Sequence, residues 1–217
     1  MSPRHGPAPN DLVLAFSAED ILGNPDPVDR AIMRWQIAVL LGPFYELDPD
    51  EDEPDDGVIG RASASVLSLE NADHARIGVA EALDAVSAEL EHLSTVYDAE
   101  IGTWSEDLEL ATFGGAALLV ETMELKPGFR GLGLGPAVLA GIVERLGSGC
   151  AFAALEPSPF GELLDGKSYD EATRALERLW QAVGFEPYRD GVWVVDLGTE
   201  AFWSCRDEIF RDRHRTR

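Results

Sequence analysis

The sequence predicts an α+β fold, in which hairpin-connected strands and separate helices build one domain. Three observations carry the prediction. Residues 118–147 begin as an apolar run of strand length, cross a glycine-rich turn and continue with apolar residues at helical spacing. Residues 35–47 and 57–69 are two strand-like runs, and the second alternates apolar or small residues with polar ones, as in a hairpin. Near the carboxyl end, Asp190-Gly191 separates two further runs with a strong hairpin-turn signal.

The glycine-rich turn reads RGLGLG at positions 130–135, and Pro136 behind it suits the first turn of a helix, where a missing N–H costs nothing. Alternate glycines let the backbone approach a ligand, and the helix start presents unpaired N–H groups and a positive dipole end. Such a turn favours an anion, most often a phosphate. A dinucleotide fingerprint starting at Gly131 is excluded by Pro136, and the Gly-Lys-Ser/Thr of a P-loop is absent. The alternative is a tight turn without a ligand.

Two motifs in this half of the chain carry a resemblance. Arg130, Gly133 and Gly135 fill the pattern Arg/Gln-x-x-Gly-x-Gly/Ala after a strand, which resembles the acyl-CoA loop of the GNAT superfamily of N-acyltransferases. The run LWQAVGF at residues 179–185 is similar to that family's Leu-Tyr-x-x-x-Gly-Phe helix end. The order of loop, helix, strand, second helix and terminal hairpin also agrees. The resemblance covers residues 115–197 and is only topological before them.

The resemblance implies a GNAT-like fold, with a mixed, mostly antiparallel central sheet that is parallel only where the cofactor enters and with helices on both faces. Acetyl-CoA would be the cosubstrate and would lie between strands at residues 116–125 and 150–156. Pro136 departs from many relatives, because it removes an amide and with it one phosphate contact. The cofactor-binding residues that the resemblance implies are Met123, Leu125, Lys126, Arg130, Gly131, Leu132, Gly133, Leu134, Gly135 and Trp180.

Two glutamates are candidate general bases, which acyl transfer to an amine needs because a protonated amine has no lone pair. Glu156 ends the second strand and, by the resemblance, coincides with the glutamate that is the base in ribosomal-protein alanine N-acetyltransferases. Its structural alternative is to cap a backbone N–H in the rigid turn at residues 157–159. Glu121 is the second candidate, since period two places it on the same face as Met123 and Leu125, where partial desolvation would raise its pKa.

The source of a proton for the leaving thiolate is less clear from the sequence. The tyrosine that often supplies it in the family is Trp180 here, and an indole is a donor that does not act as an acid near pH 7. We therefore expect Trp180 to pack or to hold the pantetheine arm. Tyr169 is the alternative acid, and the segment 157–171 around it lacks an asparagine that many relatives carry. The resemblance also implies the Leu125 N–H as donor to the tetrahedral intermediate. His92 is expected at the surface.

The amino-acid composition limits the kinds of binding partner that we expect. The chain has 217 residues with 40 acidic and 17 basic side chains, a net charge of −23. Nucleic acid is therefore a poor partner, since phosphate binding needs a basic face, whereas an amine-bearing substrate suits this field. Two cysteines without a CxxC or Cys/His cluster predict no metal site and a reducing compartment. No signal-peptide core and no membrane-length apolar run occur, which predicts a cytoplasmic protein without a membrane partner.

The remaining segments are predicted to be additions to a single domain, 1–217. They are a disordered arm at 1–10, an acidic loop at 46–56, an inserted helix at 77–98 and an extra C-terminal helix after residue 200. The acidic loop, with eight acidic residues in eleven, has a metal clamp as its alternative. The inserted helix would cover the sheet within the monomer or form the seam of a homodimer. Its apolar stripe, spaced 4-3-4-3-4, is Val79, Leu83, Val86, Leu90, Leu93 and Tyr97.

Three functions follow from these expectations. The first, implied by the resemblance, is acetyl-CoA-dependent N-acetylation of a primary amine on a small molecule or a peptide, by direct attack in a ternary complex. The second is a non-catalytic CoA-binding or partner-binding protein of the same fold, which Trp180 and the absent asparagine suggest. The third is an acidic interaction protein that mimics nucleic acid. The charge permits the third function, and the CoA-type loop argues against it.

Overall fold

A computed structural model describes residues 7–18, 26–42, 57–112, 114–156, 158–159 and 168–211. These residues form an α+β fold with a mixed seven-stranded sheet and helices on both faces, as predicted at this coarse level. In the sheet the order is β1-β2-β3-β6-β7-β9-β8, and β4 and β5 form a separate two-stranded sheet. The strands are β1 (Leu12–Ser17), β2 (Ile32–Leu41), β3 (Val58–Ser68), β4 (Tyr97–Asp98), β5 (Thr103–Trp104), β6 (Ala116–Leu125), β7 (Phe152–Leu155), β8 (Glu186–Pro187) and β9 (Trp193–Asp196).

The described residues also form seven α-helices, which pack on the sheet. Their bounds are α1 (Pro27–Ala31), α2 (Leu69–Ala75), α3 (Val79–Asp84), α4 (Ala88–Leu93), α5 (Gly135–Leu146), α6 (Tyr169–Gln181) and α7 (Glu200–Arg211). Alternate residues of β6 separate two cores, as the two-residue period of a strand requires. Leu118 packs with α5, α6 and α7 on one side, here called the α5 face. Leu119 packs with α1 to α4 on the other side, here called the α4 face.

The strand pairing agrees with the sequence at both ends of the chain. The β2–β3 hairpin and the β8–β9 hairpin are antiparallel, as their turn and alternation signals predict. Within the described sheet only β6 and β7 are parallel, and they are joined by α5. A parallel pair needs such a crossover, and the glycine turn at residues 130–135 lies where β6 leads into this helix.

The prediction of one helix over residues 77–98 is wrong. The segment forms α3 and α4 with a break between them, because the Ser87 side chain accepts a hydrogen bond from the Leu90 N–H and starts a new helix. A 3-10 helix and β4 follow. Four of the six residues of the apolar stripe are nevertheless buried on the α4 face, and Val86 and Tyr97 are partly buried there. The insertion therefore covers the sheet within the monomer, which was one of the two alternatives.

The chain ends also differ in part from expectation. Residues 7–10 belong to the folded structure, since a 3-10 helix spans Pro9–Asp11 and Pro9 is buried. Residues 1–6 and the predicted acidic loop at 46–56 lie outside the described residues. The expected C-terminal helix is α7, whose Arg206 binds Glu144 of α5 with nitrogen–oxygen distances of 2.7 and 3.2 Å. None of the helices in the described ranges has the length and hydropathy that crossing a membrane requires.

Candidate functional site

The parallel pairing between β6 and β7 stops before β6 ends, because β7 is the shorter strand. Their paired residues run from Ala117 to Val120 on β6 and from Phe152 to Leu155 on β7. After Val120, β6 continues for five residues beside β3 alone. Among the described residues, the carboxyl end of β6 therefore has no strand partner on the side of β7, and the carboxyl ends of parallel strands are where ligands most often bind in an α/β sheet.

A β-bulge lies where the pairing of β6 with β7 ends. On β3, Ser63 pairs with Thr122 and Ala64 pairs with Val120, so that Glu121 is the extra residue. A bulge shifts the alternation of side chains by one position. Met123 and Leu125 consequently pack on the α5 face with Val120. The prediction that Glu121 shares this face with them is therefore wrong.

The Glu121 carboxylate lies on the α4 face instead. Its Oε1 accepts a hydrogen bond of 2.6 Å from the hydroxyl of Ser65, whose cross-strand partner is Leu119 on that face. Burial is the largest influence on the Glu121 pKa and raises it; the Ser65 hydroxyl lowers it, and the nearby Glu89 carboxylate raises it again. The net direction is upward, toward the range that a general base needs.

Glu156 follows the last residue of β7 and faces two elements of the α4 face. Its carboxylate oxygen lies 3.8 Å from His92 Nε2 on α4. The same His92 nitrogen is 2.7 Å from the backbone oxygen of Asp190, so it donates to the tip of the β8–β9 hairpin. In the turn that follows, the Glu156 backbone carbonyl accepts the Ser158 N–H at 2.9 Å.

A small pocket joins these groups. It has a volume of ≈ 80 Å³ and lies between the separated strand ends, α4 and the segment after β7. Both candidate bases line it, so the structure brings together two residues that are 35 positions apart in the chain. The described residues that line the pocket are Glu89, Leu93, Val120, Glu121, Glu156 and Ser158. Tyr169 stands beside this pocket, with its hydroxyl 3.5 Å from that of Ser158.

The glycine loop lies at the start of the twelve-residue helix α5. Gly131 and Gly133 have φ values of +72° and +73°, a conformation that favours glycine. Leu134 is 1% exposed and anchors the loop in the core of the α5 face. Within the described part of the chain, the amides of Gly131, Gly133, Leu134 and Gly135 donate to no acceptor. Left-handed glycines next to a helix start form concave groups of N–H donors that bind anions.

Arg130 connects this loop to the end of β6. Its Nε donates to the Leu125 carbonyl at 2.7 Å, and its guanidinium binds the Glu124 carboxylate at 2.9 Å. The Arg130 side chain is 16% exposed. Arg130 therefore has a structural role in addition to the positive charge that the sequence suggested for it. Lys126 is exposed at the same end of the strand and donates its backbone N–H to Ile59.

Trp180 lies in the last turn of α6, in the same core as Leu125, Leu134 and Leu155. The neighbouring Leu179 is so close to α5 that a Cβ at Gly135 would lie 2.7 Å from its Cδ1. The side chain of Trp180 is 6% exposed, and its indole N–H has no hydrogen-bond partner in the described ranges. A buried donor without an acceptor is costly, and the Trp35 indole is in the same state among the described residues.

Comparison of the chain with models of known protein families, with curated proteins and with solved structures finds no match.

Sequence reasoning missed Glu89, His92 and Leu93 as parts of the site. Leu93 was assigned to the apolar stripe, and Glu89 and His92 lie outside it, so helical periodicity predicts only that they are solvated. No local signal identifies them, because the pocket exists only once α4 has been placed over the strand ends. The loop residues were predictable, since glycine spacing before a helix is a local pattern.

Proposed function

We propose that the protein is an acetyl-CoA-dependent N-acetyltransferase with a GNAT-like fold that acts on a primary amine. The observation that supports the proposal is a group of four amides, at residues 131, 133, 134 and 135, that have no acceptor among the described residues and lie near the point where the parallel pairing of β6 and β7 ends. The diphosphate of CoA would accept hydrogen bonds from these amides. Arg130 and Lys126 would contribute positive charge in an otherwise acidic protein.

The rest of the cofactor would extend from the loop into the gap between β6 and β7. Pantetheine amides need backbone partners, and among the described residues no strand pairs with the β7 side of β6 beyond Val120, at Met123 and Leu125. Trp180 supports the same path, because its partner-free indole N–H shares a core with the ends of both strands. The cofactor would thus approach from the α5 face.

The acceptor would approach from the α4 face, where carboxylates line the pocket. Its ammonium group would bind there and lose a proton to Glu121 or Glu156, and the raised pKa of Glu121 favours Glu121 as the proton acceptor. The neutral nitrogen would then attack the thioester carbonyl, with the new C–N bond forming as the carbonyl π electrons move to oxygen. Collapse of that intermediate breaks the C–S bond, and its electron pair leaves on sulfur. The nitrogen loses its remaining extra proton and the thiolate gains one, so that the products are an amide and the CoA thiol.

Calorimetry with acetyl-CoA tests the proposal first. We expect binding with a stoichiometry of one, and competition by 3′,5′-ADP, which carries two phosphates and no thioester. Thiol release in the presence of primary amines tests the chemistry. Absence of any heat with acetyl-CoA would contradict the proposed function.

A non-catalytic CoA-binding protein of the same fold is the second candidate. The observation that favours it is Trp180, which supplies no acidic proton for the leaving thiolate although Tyr169 lies beside the pocket. Binding of acetyl-CoA without thiol release over a broad amine panel would support this candidate.

A further inference from the structure

We infer that Ser65 is a positioning residue for Glu121, because its buried hydroxyl binds one oxygen of that carboxylate and leaves the other oxygen to take the proton of the acceptor amine. This inference rests on the proposed function and adds to it the residue that controls the general base. Ser65 lies on β3, 56 positions before Glu121 in the chain, and only the pairing of β3 with β6 brings the two side chains together.

Ser65 is completely buried although it carries a hydroxyl. Its exposed fraction is 0%, and its cross-strand partner Leu119 is equally buried in the core of the α4 face. A buried hydroxyl needs a hydrogen-bond partner, because desolvation without one is costly. Within the described ranges, the Ser65 hydroxyl has its hydrogen bond with Oε1 of Glu121. Since water does not reach the hydroxyl, this carboxylate is the partner that satisfies it.

The bond between the two side chains favours the ionised form of Glu121. Its oxygens are 2.6 Å apart, which is a length typical of a hydroxyl that donates to a carboxylate. An ionised carboxylate is also the form that accepts a proton from an amine. Burial is the largest influence on the Glu121 pKa and raises it, and the Ser65 bond lowers it. Ser65 therefore stabilises the reactive form of a base that burial alone would protonate more readily.

The same bond fixes the direction of the carboxylate. In the part of the chain that the structure describes, no group donates to the second oxygen of Glu121, Oε2. Glu121 lines the pocket at the strand ends. Twisting the carboxylate away from Ser65 would break the bond to Oε1 and leave a buried hydroxyl without a partner. The carboxylate is therefore held in one orientation, with Oε2 as the oxygen that takes the proton.

Charged groups on three other elements face Glu121. The Glu89 carboxylate on α4 raises the pKa of Glu121 and the Arg34 guanidinium on β2 lowers it, both by less than burial and the Ser65 bond. Glu156 after β7 lines the same pocket. Removing the Ser65 hydroxyl leaves all three groups in place, so a change in the titration of Glu121 reports on the hydroxyl.

Ser65→Ala, which removes only the hydroxyl, tests the inference. Because the bond that favours the ionised form is lost, Glu121 should titrate at a higher pH than in the wild type. NMR of protein with isotope-labelled glutamate carboxyl carbons measures this titration without any ligand, and the Glu121 signal is the one that Glu121→Gln lacks. Ser63→Ala is the matched control, because the Ser63 hydroxyl lies on the same strand and pairs with Thr122 at 2.7 Å. It should leave the titration of Glu121 unchanged.

The pH profile of catalysis is the second measurement. It uses thiol release from acetyl-CoA with the fastest acceptor among n-propylamine, cadaverine and Nα-acetyl-lysine methylamide. On the acidic side of the profile, kcat/KM of Ser65→Ala should fall by about tenfold, as expected for the loss of one hydrogen bond to a charged group. At higher pH it should approach the wild-type value, because Glu121 is then ionised in both proteins. A purely structural role of Ser65 would lower kcat/KM at every pH, and the use of one amine cancels the titration of the acceptor.

The outcomes separate this inference from the proposed function. An unchanged titration of Glu121 in Ser65→Ala, or an equal shift in Ser63→Ala, overturns the inference and leaves an acetyltransferase. A shifted titration with an unchanged pH profile also overturns it, because the base is then another group such as Glu156. Absence of acetyl-CoA binding, or of thiol release with every amine, overturns the proposed acetyltransferase and the inference together.

Discussion

At the scale of single residues, one extra residue in β6 decides where a carboxylate points. Strand alternation alone puts Glu121 with Met123, and the bulge moves it to the opposite face, where Ser65 and Glu89 set its environment. The Glu121 carboxylate therefore lies on the α4 face, whereas Met123 and Leu125 of the same strand lie on the α5 face. The proposed donor and acceptor of the acyl group can then meet from opposite sides of the sheet.

Replacing Glu121 with glutamine tests its role as base. We expect acetylation to slow by about 10²–10⁴-fold, the range of general-base contributions. The free energy of unfolding, by contrast, should increase in this variant. Because burial raises the pKa of Glu121 above the ordinary 4.5, the ionised side chain destabilises the folded state above its folded pKa, and the penalty disappears as the pH falls below 4.5. Glu121→Gln should therefore be more stable than the wild type at neutral pH.

Urea unfolding at pH 7 and pH 4 measures this difference. The advantage of Glu121→Gln should shrink at the lower pH. A variant that is less stable than the wild type at pH 7 would show that the Ser65 contact outweighs desolvation.

Replacing Gly131 with alanine tests the loop conformation. A Cβ at Gly131 meets no atom within 4 Å, so any loss comes from its φ of +72°, which costs an L-residue about 1–2 kcal/mol. We expect a loss of stability of that size and at least tenfold weaker binding of acetyl-CoA by calorimetry. Gly128→Ala is the control, since a Cβ there also meets nothing and its φ is not positive. Equal affinities for the two variants would contradict the role of the loop.

At the scale of elements, a close contact between β3 and β6 supports the end of the strand that leads to the loop. A Cβ at Gly60 would lie 2.6 Å from the Glu124 carbonyl oxygen and 3.3 Å from the Leu125 Cα. Both atoms are backbone, so the strands would have to separate. Overpacking of this kind costs about 1–3 kcal/mol. Gly60→Ala should lower the free energy of unfolding by this amount, and Gly115→Ala, where a Cβ meets nothing, should change it little.

Denaturant unfolding of both variants with unchanged m-values would establish the comparison. Because Leu125 also accepts the Arg130 bond, Gly60→Ala should weaken acetyl-CoA binding as well. A Gly60→Ala protein as stable as Gly115→Ala would contradict the packing argument.

The elements differ in how well local sequence predicted them. The strand at 116–125 and the helix that ends before Gly147 were predicted closely, because apolar periodicity and caps are local. The insertion was predicted as one helix, because its stripe continues through a break that Ser87 creates. A hydrophobic stripe reports which residues are buried; it does not report whether the backbone between them is continuous.

At the scale of the whole molecule, the net charge of −23 on 217 residues destabilises the folded state, because the negative charges repel one another. Salt screens this repulsion over a Debye length of about 10 Å at 0.1 M. We expect the melting temperature to rise by about 2–4 °C between 0.01 and 0.3 M NaCl, which corresponds to about 1 kcal/mol for a protein of this size. Scanning calorimetry at a fixed pH measures it, and a melting temperature that falls with salt would indicate that specific ion pairs such as Arg206–Glu144 dominate.

The sequence by itself determined the α+β class, the main strands, the glycine loop before α5 and the acidic character, because each depends on neighbouring residues or on composition. Only the tertiary structure decided that Glu121 leaves the face of Met123, that Glu121 and Glu156 share a pocket, and that Glu89 and His92 of the insertion stand beside them. These relations join residues that are distant in the chain. They depend on a bulge and on the placement of one helix across strand ends, which no local pattern encodes.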